Sequence, residues 1–276
     1  MNISELKLPS KGEINTYFIA GDWHIDHLDW PCLDIMIKTA RKFFRNKKDR
    51  RLIINGDFLD AAHLMARNPQ YKKWIKRSDG MDEYFIPKSE EELDLGNKIL
   101  DILQKEFSEI IYILGNHCIR YDLMMKSCPL DYSHNFDLRK KLKLTTRGIP
   151  TVNYNDWLDI GDKLSITHGQ FHGTTCHKKH YEVSGSKSVI FSHIHHIGSK
   201  AFQVRGNTHH VWSLPALCDL NPEYIKNRET NWSVGFGIIN INHDSTFNFN
   251  IFSVWDNMLI LPDGKVIASN LSNPFK

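Results

Sequence analysis

Three short apolar runs, at residues 17–21, 52–54 and 110–114, alternate with two longer stretches whose apolar positions fall at helical spacing, and no other feature constrains the fold as tightly. The first run is partly aromatic, ends in Gly21 and is followed by Asp22, the pattern of a buried strand with a polar turn at its carboxyl end. Between 31 and 44 the residues Leu33, Ile35, Met36, Ile37, Ala40, Phe43 and Phe44 recur with the helical period. The stretch 90–107 does the same through Leu93, Leu95, Ile99, Leu100, Leu103 and Phe107. Strands that alternate with helices in this way pair in parallel, because each helix carries the chain back to the starting edge.

After residue 150 the texture changes to short strands bounded by turn signals, expected at 158–160, 164–167, 189–192 and 201–204, with a helix starting near His177. The segments 234–242, 246–255 and 258–267 alternate apolar residues with Asn or Ser at period two, which predicts a sheet with one solvated face. No internal repeat, low-complexity tract or linker interrupts the chain. The expected architecture is therefore an α/β fold over residues 1–276 as one domain: a four-layer α-β-β-α sandwich of two stacked mixed sheets flanked by helices.

Composition narrows the class. With 41% hydrophobic and 24% charged residues the chain has the make-up of a globular protein, and a net charge of +3 does not make it a polycation. No apolar run approaches the roughly 20 residues a membrane span needs, so no membrane partner is expected. Residues 1–15 lack the apolar core of a secretory signal, and the expected location is cytoplasmic. Cys32, Cys118, Cys128, Cys176 and Cys218 are odd in number and form no C-x-x-C pair, so free thiols are expected. The unusual entry is histidine, present 15 times; neutral imidazole is the commonest transition-metal ligand.

The histidines and carboxylates are not scattered. Asp22 and His24, Gly56, Asp57 and Asp60, Gly115, Asn116 and His117, His168 and Gly169, and His193 and His195 each fall at the expected end of a strand, where open α/β sheets place ligands. Any one of these groups is common by chance. Together they supply carboxylates, an amide and imidazoles without thiolate, a donor set that suits Mn, Fe, Zn or Ni. In Asp22/His24 and His193/His195 the i, i+2 spacing would, in an extended segment, put both side chains on one face, each pair chelating one ion. Two such ions about 3.5 to 4 Å apart clamp a phosphoryl group and activate water, so the chemistry implied is hydrolysis.

The series Asp-x-His, Gly-Asp-x-x-Asp, Gly-Asn-His, His-Gly and His-x-His, running in order from Asp22 to His195, resembles the calcineurin-like metallophosphoesterase superfamily. The resemblance implies a β-sandwich flanked by helices and a pair of divalent metal ions, Mn²⁺ favoured. Asp22, His24 and His195 would hold one ion, Asn116, His168 and His193 the other, with Asp57 as the bridge and a shared hydroxide as nucleophile. His117 matches the histidine that contacts the scissile phosphate and protonates the leaving oxygen, and Asp60 matches the carboxylate that orients it. A carboxylate beside an imidazole favours the protonated form an acid catalyst needs. Arg120 follows close enough to grip a phosphate oxygen. The sequence departs from the pattern at Cys118, where an acidic residue is common, and at Ser192, where glycine is usual; neither removes a ligand.

Asp60 is followed by Ala61 and Ala62 where protein phosphatases of this superfamily have Arg-Gly, so the motifs are more similar to the phosphodiesterase branches, including DNA-repair nucleases and cyclic-nucleotide phosphodiesterases. An insertion at about 61–90 reads as a substrate-selecting lid. Within it Tyr71, Lys72, Lys73, Trp74, Ile75, Lys76 and Arg77 interleave rings with cations, which would suit stacking on bases and neutralising phosphates, or equally an amphipathic helix with Trp74 and Ile75 inward. A second basic stretch runs from Arg139 to Lys143. The expected substrate is a phosphodiester, nucleic acid first, with a small-molecule phosphodiester or phosphomonoester as the alternative and an inactive metal-binding scaffold as a remote one.

Overall fold

Each strand of the central layers sends alternate side chains into two different cores, and that alternation fixes how the layers stack. The computed structural model describes residues 1–222, 226 and 228–275. Its strands are β1 (Ile14–Gly21), β2 (Arg51–Asn55), β3 (Glu109–Ile113), β4 (Thr151–Val152), β5 (Leu158–Ile160), β6 (Leu164–Ile166), β7 (Ser188–Phe191), β8 (Gly198–Val204), β9 (Asn207–Ser213), β10 (Gly235–Asn242), β11 (Phe247–Ser253), β12 (Met258–Ile260) and β13 (Val266–Ala268). The helices are α1 (Trp30–Phe43), α2 (Pro69–Trp74), α3 (Ile86–Glu106), α4 (Ile119–Ser127), α5 (Leu130–Ser133), α6 (Leu138–Lys141) and α7 (Cys176–Val183).

One sheet has the order β11-β10-β1-β2-β3-β4 and the other β5-β6-β7-β9-β8. Strands β1 to β4 pair in parallel, as the strand-helix alternation requires, while β10 joins β1 and β11 antiparallel. Ile19, Ile53, Ile111 and Ile113 face Ile160, Leu164, Ile166 and Ile190 of the second sheet. Their neighbours Phe18, Ala20, Leu52, Ile54, Ile110 and Tyr112 point the other way, onto Leu33, Met36, Ile99 and Leu103 of α1 and α3. On the far side Val189, Phe191 and Val211 pack against Cys176 and Tyr181 of α7. The result is helices, sheet, sheet, helix, with period-two burial setting each boundary. Helix α1 starts where the Asp29 carboxylate accepts the Cys32 amide at 2.8 Å, with Pro31 in the first turn.

Several boundaries differ from the sequence reading. Helix α3 begins at Ile86 instead of 90, directly continuing a π-helical turn at Met81–Phe85. The stretch 258–267 is not one strand but the hairpin β12-β13, turned by Pro262, Asp263 and Gly264, with Gly264 at φ +79°. Strand β10 forms no separate half-exposed sheet. It inserts beside β1 and is buried on both faces, Phe236 and Ile238 toward the helices and Ile239 and Ile241 between the sheets, which leaves β11 as the solvated edge.

In the segment 61–90, Tyr71 packs on Phe85 with ring centroids 5.3 Å apart, Trp74 stacks parallel on Tyr84 at 5.7 Å, and Arg77 lies 4.4 Å over the Trp74 ring. The rings are engaged in packing, whereas Lys72, Lys73, Lys76 and Arg77 are exposed, and so is Ile75, which the amphipathic reading placed inward. This segment borders a cavity of about 550 Å³ with Asp26, His63 and Lys88, none of them among the predicted metal ligands. Arg139 pairs with Asp122 at 3.1 Å while Leu138 and Leu142 are buried, so the first part of that basic stretch is a short packed helix, with Lys143 beyond its end. No helix among the described residues is long and apolar enough to cross a membrane.

Candidate metal centre

All five polar clusters emerge from the carboxyl ends of parallel strands: Asp22 and His24 after β1, Asp57 after β2, Asn116 and His117 after β3, His168 after β6, and His193 and His195 after β7. The loops that carry them are tied together by hydrogen bonds from their backbone amides. The His24 amide donates to the Asp57 carbonyl at 2.8 Å, the Ser192 amide to the His168 carbonyl at 2.8 Å, and the His193 amide to the Asp22 carboxylate at 2.9 Å.

The backbone here is strained in one specific way. Asp22, His24, Asp57, His193 and His195 have φ of 50°, 38°, 43°, 75° and 58°, left-handed values that non-glycine residues adopt at a cost of about 1 to 3 kcal/mol each. So many neighbouring exceptions at one spot mark a site whose side chains are aimed by the surrounding fold. The strain also corrects the spacing argument: Asp22 and His24 converge through left-handed turns, not through an extended segment. His193 and His195 diverge into different groups instead of sharing one ion.

Two of the motif glycines are required by contact. A Cβ on Gly56 (φ +86°) would lie 2.0 Å from His168 Nδ1, and one on Gly115 would lie 2.1 Å from Asp57 Oδ1, so each glycine leaves room for a donor. Ser192, the departure from the pattern, accepts the Asn55 side-chain amide at 2.8 Å in a wholly buried position and is accommodated by Gly21.

The structure gathers Asp22, His24 and His195 into one group and Asp57, His168 and His193 into another, with ligand atoms within 4.8 Å of one another; a further group joins His24, Asp57 and His117. Asn116 belongs to the second: its Oδ1 lies 2.9 Å from His168 Nε2 and 2.9 Å from His193 Nδ1. All seven predicted ligands are thus brought together. Cys118 is not among them; its Sγ is buried 3.1 Å from Tyr112 Oη, and burial pushes the thiol up to about 11.

The donors fit cations. His24 turns Nδ1 to Asp60 Oδ1 at 2.9 Å, which leaves Nε2 buried with no hydrogen-bond partner among the described residues, and His195 Nδ1 is orphaned likewise. A buried polar atom without a partner costs about 1 to 3 kcal/mol, and a carboxylate behind the imidazole is how metal-binding histidines are oriented. Burial would push the Asp57 carboxyl up, but His168, 3.2 Å away, and His117 reverse this and hold it well below the usual carboxylate range. Burial would likewise push His168 down, but Asp57 brings it up to about 9. His193 is driven down to about 4 by burial and by His168, which keeps its lone pair available near neutral pH.

Beside these groups the Asp60-Ala61 turn is gripped from both sides. The Asp60 carbonyl accepts His117 Nδ1 at 2.7 Å and Arg120 Nη1 at 2.8 Å, and Asp60 Oδ1 lies 3.1 Å from His117 Nδ1. Asp60 therefore serves two imidazoles, His24 and His117. Arg120 is half-buried and anchored at the cleft through Nη1.

The residue that the sequence reading missed is Glu92. Its Oε1 accepts the amides of Asp60 and Ala61, both at 2.7 Å, and its Oε2 accepts the Tyr121 hydroxyl at 2.6 Å. The signal was an acid on the buried stripe of α3, between Ser89 and Gly96.

Burial, reinforced by Asp26, pushes the Glu92 carboxyl from 4.5 up to about 8. A carboxyl raised on folding binds its proton better in the native state. Its stabilising contribution is complete below pH 4.5 and is lost as pH rises through 8. Glu92→Gln, permanently neutral, should therefore flatten part of the decline in stability across that window. Urea denaturation of metal-free protein at several pH values checks this, and equal slopes for variant and wild type would refute it.

No protein-family model and no curated protein matches the chain. Among solved structures it is similar to a single mutant of Vps29 from Entamoeba histolytica, at 10% identity and a TM-score of 0.42 over 92% of this chain and 99% of that one. It is also similar to Vps29 from Chaetomium thermophilum, at 9% identity and a TM-score of 0.42 over 92% of this chain and 95% of that one. A third likeness is to the phosphopantetheinyl hydrolase PptH from Mycobacterium tuberculosis, at 11% identity and a TM-score of 0.29 over 79% of this chain and 94% of that one.

Proposed function

We propose that the protein is a two-metal-dependent phosphoester hydrolase acting on phosphodiesters, nucleic acid included. The observation that carries this reading is the pair of donor groups, Asp22/His24/His195 and Asp57/Asn116/His168/His193, built on strand ends and left with orphaned imidazole nitrogens. The two groups would hold divalent cations, Mn²⁺ first and Fe, Zn or Ni as alternatives, which would supply positive charge to phosphoryl oxygens and lower the pKa of the attacking water. Asp57, grouped with His168 and His193 and also with His24, would be the carboxylate shared between the two positions. His117, with Nδ1 fixed on the Asp60 carbonyl, presents Nε2 for proton donation to a departing oxygen, and Arg120 contributes a fixed positive charge at the same edge.

The exposed cations of the segment 72–77 favour a polyanionic substrate, although its rings are already stacked on one another. Incubation of the Mn²⁺-loaded protein with bis-p-nitrophenyl phosphate, p-nitrophenyl phosphate and labelled single- and double-stranded DNA and RNA tests the reading. Diester cleavage that chelator abolishes is expected. Turnover of small diesters with intact nucleic acid would reject the nuclease form, and no turnover of any ester would reject the whole reading.

A further inference from the structure

A second recess adjoins the metal ligands. It has a volume of about 600 Å³, and its lining includes His172, His177, His193, His195, His196 and Trp232, but not His117, Asp60 or Arg120. The Trp232 ring is half-buried with its centroid 4.2 Å from that of His195. It is held there by its neighbour: the Ser233 amide donates to the His195 carbonyl at 2.8 Å, and Ser233 Oγ accepts the Ile197 amide at 3.1 Å. His177 is fixed between Ser213 Oγ at 3.3 Å and Cys176 Sγ at 3.4 Å, with its ring on Phe191. His172 is exposed and makes no hydrogen bond among the described residues. A half-buried indole held against His195 beside a polar rim is the form of a stacking platform, and the Ser233 bonds that fix its backbone lower the entropy lost on binding.

We propose that this recess binds a nucleobase carried by the substituent that stays on phosphorus. The proposal rests on the hydrolase reading for its orientation. His117 serves the leaving oxygen and lies outside the recess, so the group inside it belongs to the ester bond that survives. In the balanced step, a water oxygen bonds to phosphorus and releases one proton to solvent, the opposite P–O bond breaks, and protonated His117 delivers its Nε2 proton to the departing alkoxide and is reprotonated from solvent. The nucleoside in the recess leaves as a phosphomonoester. Stacking on Trp232 supplies preference for a base with little sequence selectivity, since every base has a flat face.

Calorimetric titration of the 276-residue chain with adenosine 5′-monophosphate and with ribose 5-phosphate, with and without Mn²⁺, tests this without turnover. The nucleotide should bind about tenfold more tightly than the sugar phosphate, the scale of one base stacked on an aromatic ring. Trp232→Leu should bring the two within about twofold, and Trp232→Phe, which keeps a ring, should retain part of the difference. Equal affinities in the wild type, no binding of either, or a preference that survives Trp232→Leu would overturn the proposal. Diester hydrolysis indifferent to a base would sink the recess and spare the hydrolase reading, whereas base preference without hydrolysis of any ester would do the reverse.

Discussion

Asp57→Ala should abolish stoichiometric metal uptake at both positions, not at one. Asp57 is a carboxylate shared between clusters, grouped with His168 and His193 on one side and with His24 and His117 on the other. Its Oδ2 lies 3.2 Å from His168 Nε2 and 3.9 Å from His117 Nε2, while Oδ1 accepts the His117 amide at 2.7 Å. Removing it takes away charge that two cations would share and unties the loop carrying Asn116. In the wild type, metal at a thousandfold excess over its dissociation constant should stabilise the fold by about 4 kcal/mol per site, about 8 kcal/mol for two. That would be a rise of order 20 °C in Tm for a domain of this size. The variant should show almost none of this rise. Its metal-free Tm should also fall, because His168 and the His117 amide lose a buried partner, so the metal-induced rise is read against the variant's own metal-free Tm. Asp57→Asn, which can still accept the His117 amide, separates charge from shape: it should also fail to load. Elemental analysis after reconstitution reads the stoichiometry, and an Asp57→Ala protein that still holds two ions would remove the bridging role.

Much of this site could be read from the chain because strands β1, β2, β3 and β7 are continuous apolar runs that end abruptly in Gly or Ser followed by Asp, Asn or His. Such runs are legible whatever they pack against. What they pack against is not. Strand β9, Asn207–Ser213, carries Thr208, His209 and His210 in its first half and gives no apolar signal, yet it pairs with both β7 and β8. The sidedness of β10 was misread because Asn240 and Asn242 imply a wet face, whereas Phe236 to Ile239 pass through the interior. Tyr71 and Trp74 looked available for bases, and their partners Phe85 and Tyr84 come from a turn ten or more residues on. The second role of Asp60, orienting His24 across 36 positions, depends on two strand ends lying side by side. Donor identity is written locally, while the packing that aims the donors is a tertiary property. Trp232 stands beyond both kinds of signal, a single ring in a polar loop whose meaning comes only from lying against His195.

His117→Ala is the variant that decides how many histidines hold metal. Geometry leaves two roles open, since His24, Asp57 and His117 form a group of their own with ligand atoms within 4.8 Å. The hydrogen bonds separate them. A carbonyl only accepts, so the 2.7 Å contact with the Asp60 carbonyl places a proton on His117 Nδ1 and leaves Nε2 as the reactive nitrogen. The His117 side chain is 20% exposed where His24 is 2%, and its Nε2 lies 3.9 Å from Asp57 Oδ2, so it stands at the mouth of the cleft, where a departing group must be met. For an acid catalyst, loss of the imidazole should cut turnover by about 10² to 10⁴ while two ions remain bound. The loss should also be smaller for p-nitrophenyl esters than for alkyl esters, because a leaving group that is already a weak base needs no proton. For a ligand, metal content should fall and the rate loss should be the same for both esters. Elemental analysis together with the ratio of the two rate losses gives opposite results for the two roles; a variant that loses an ion would make His117 part of the metal cage and leave the leaving oxygen to Arg120 or to solvent.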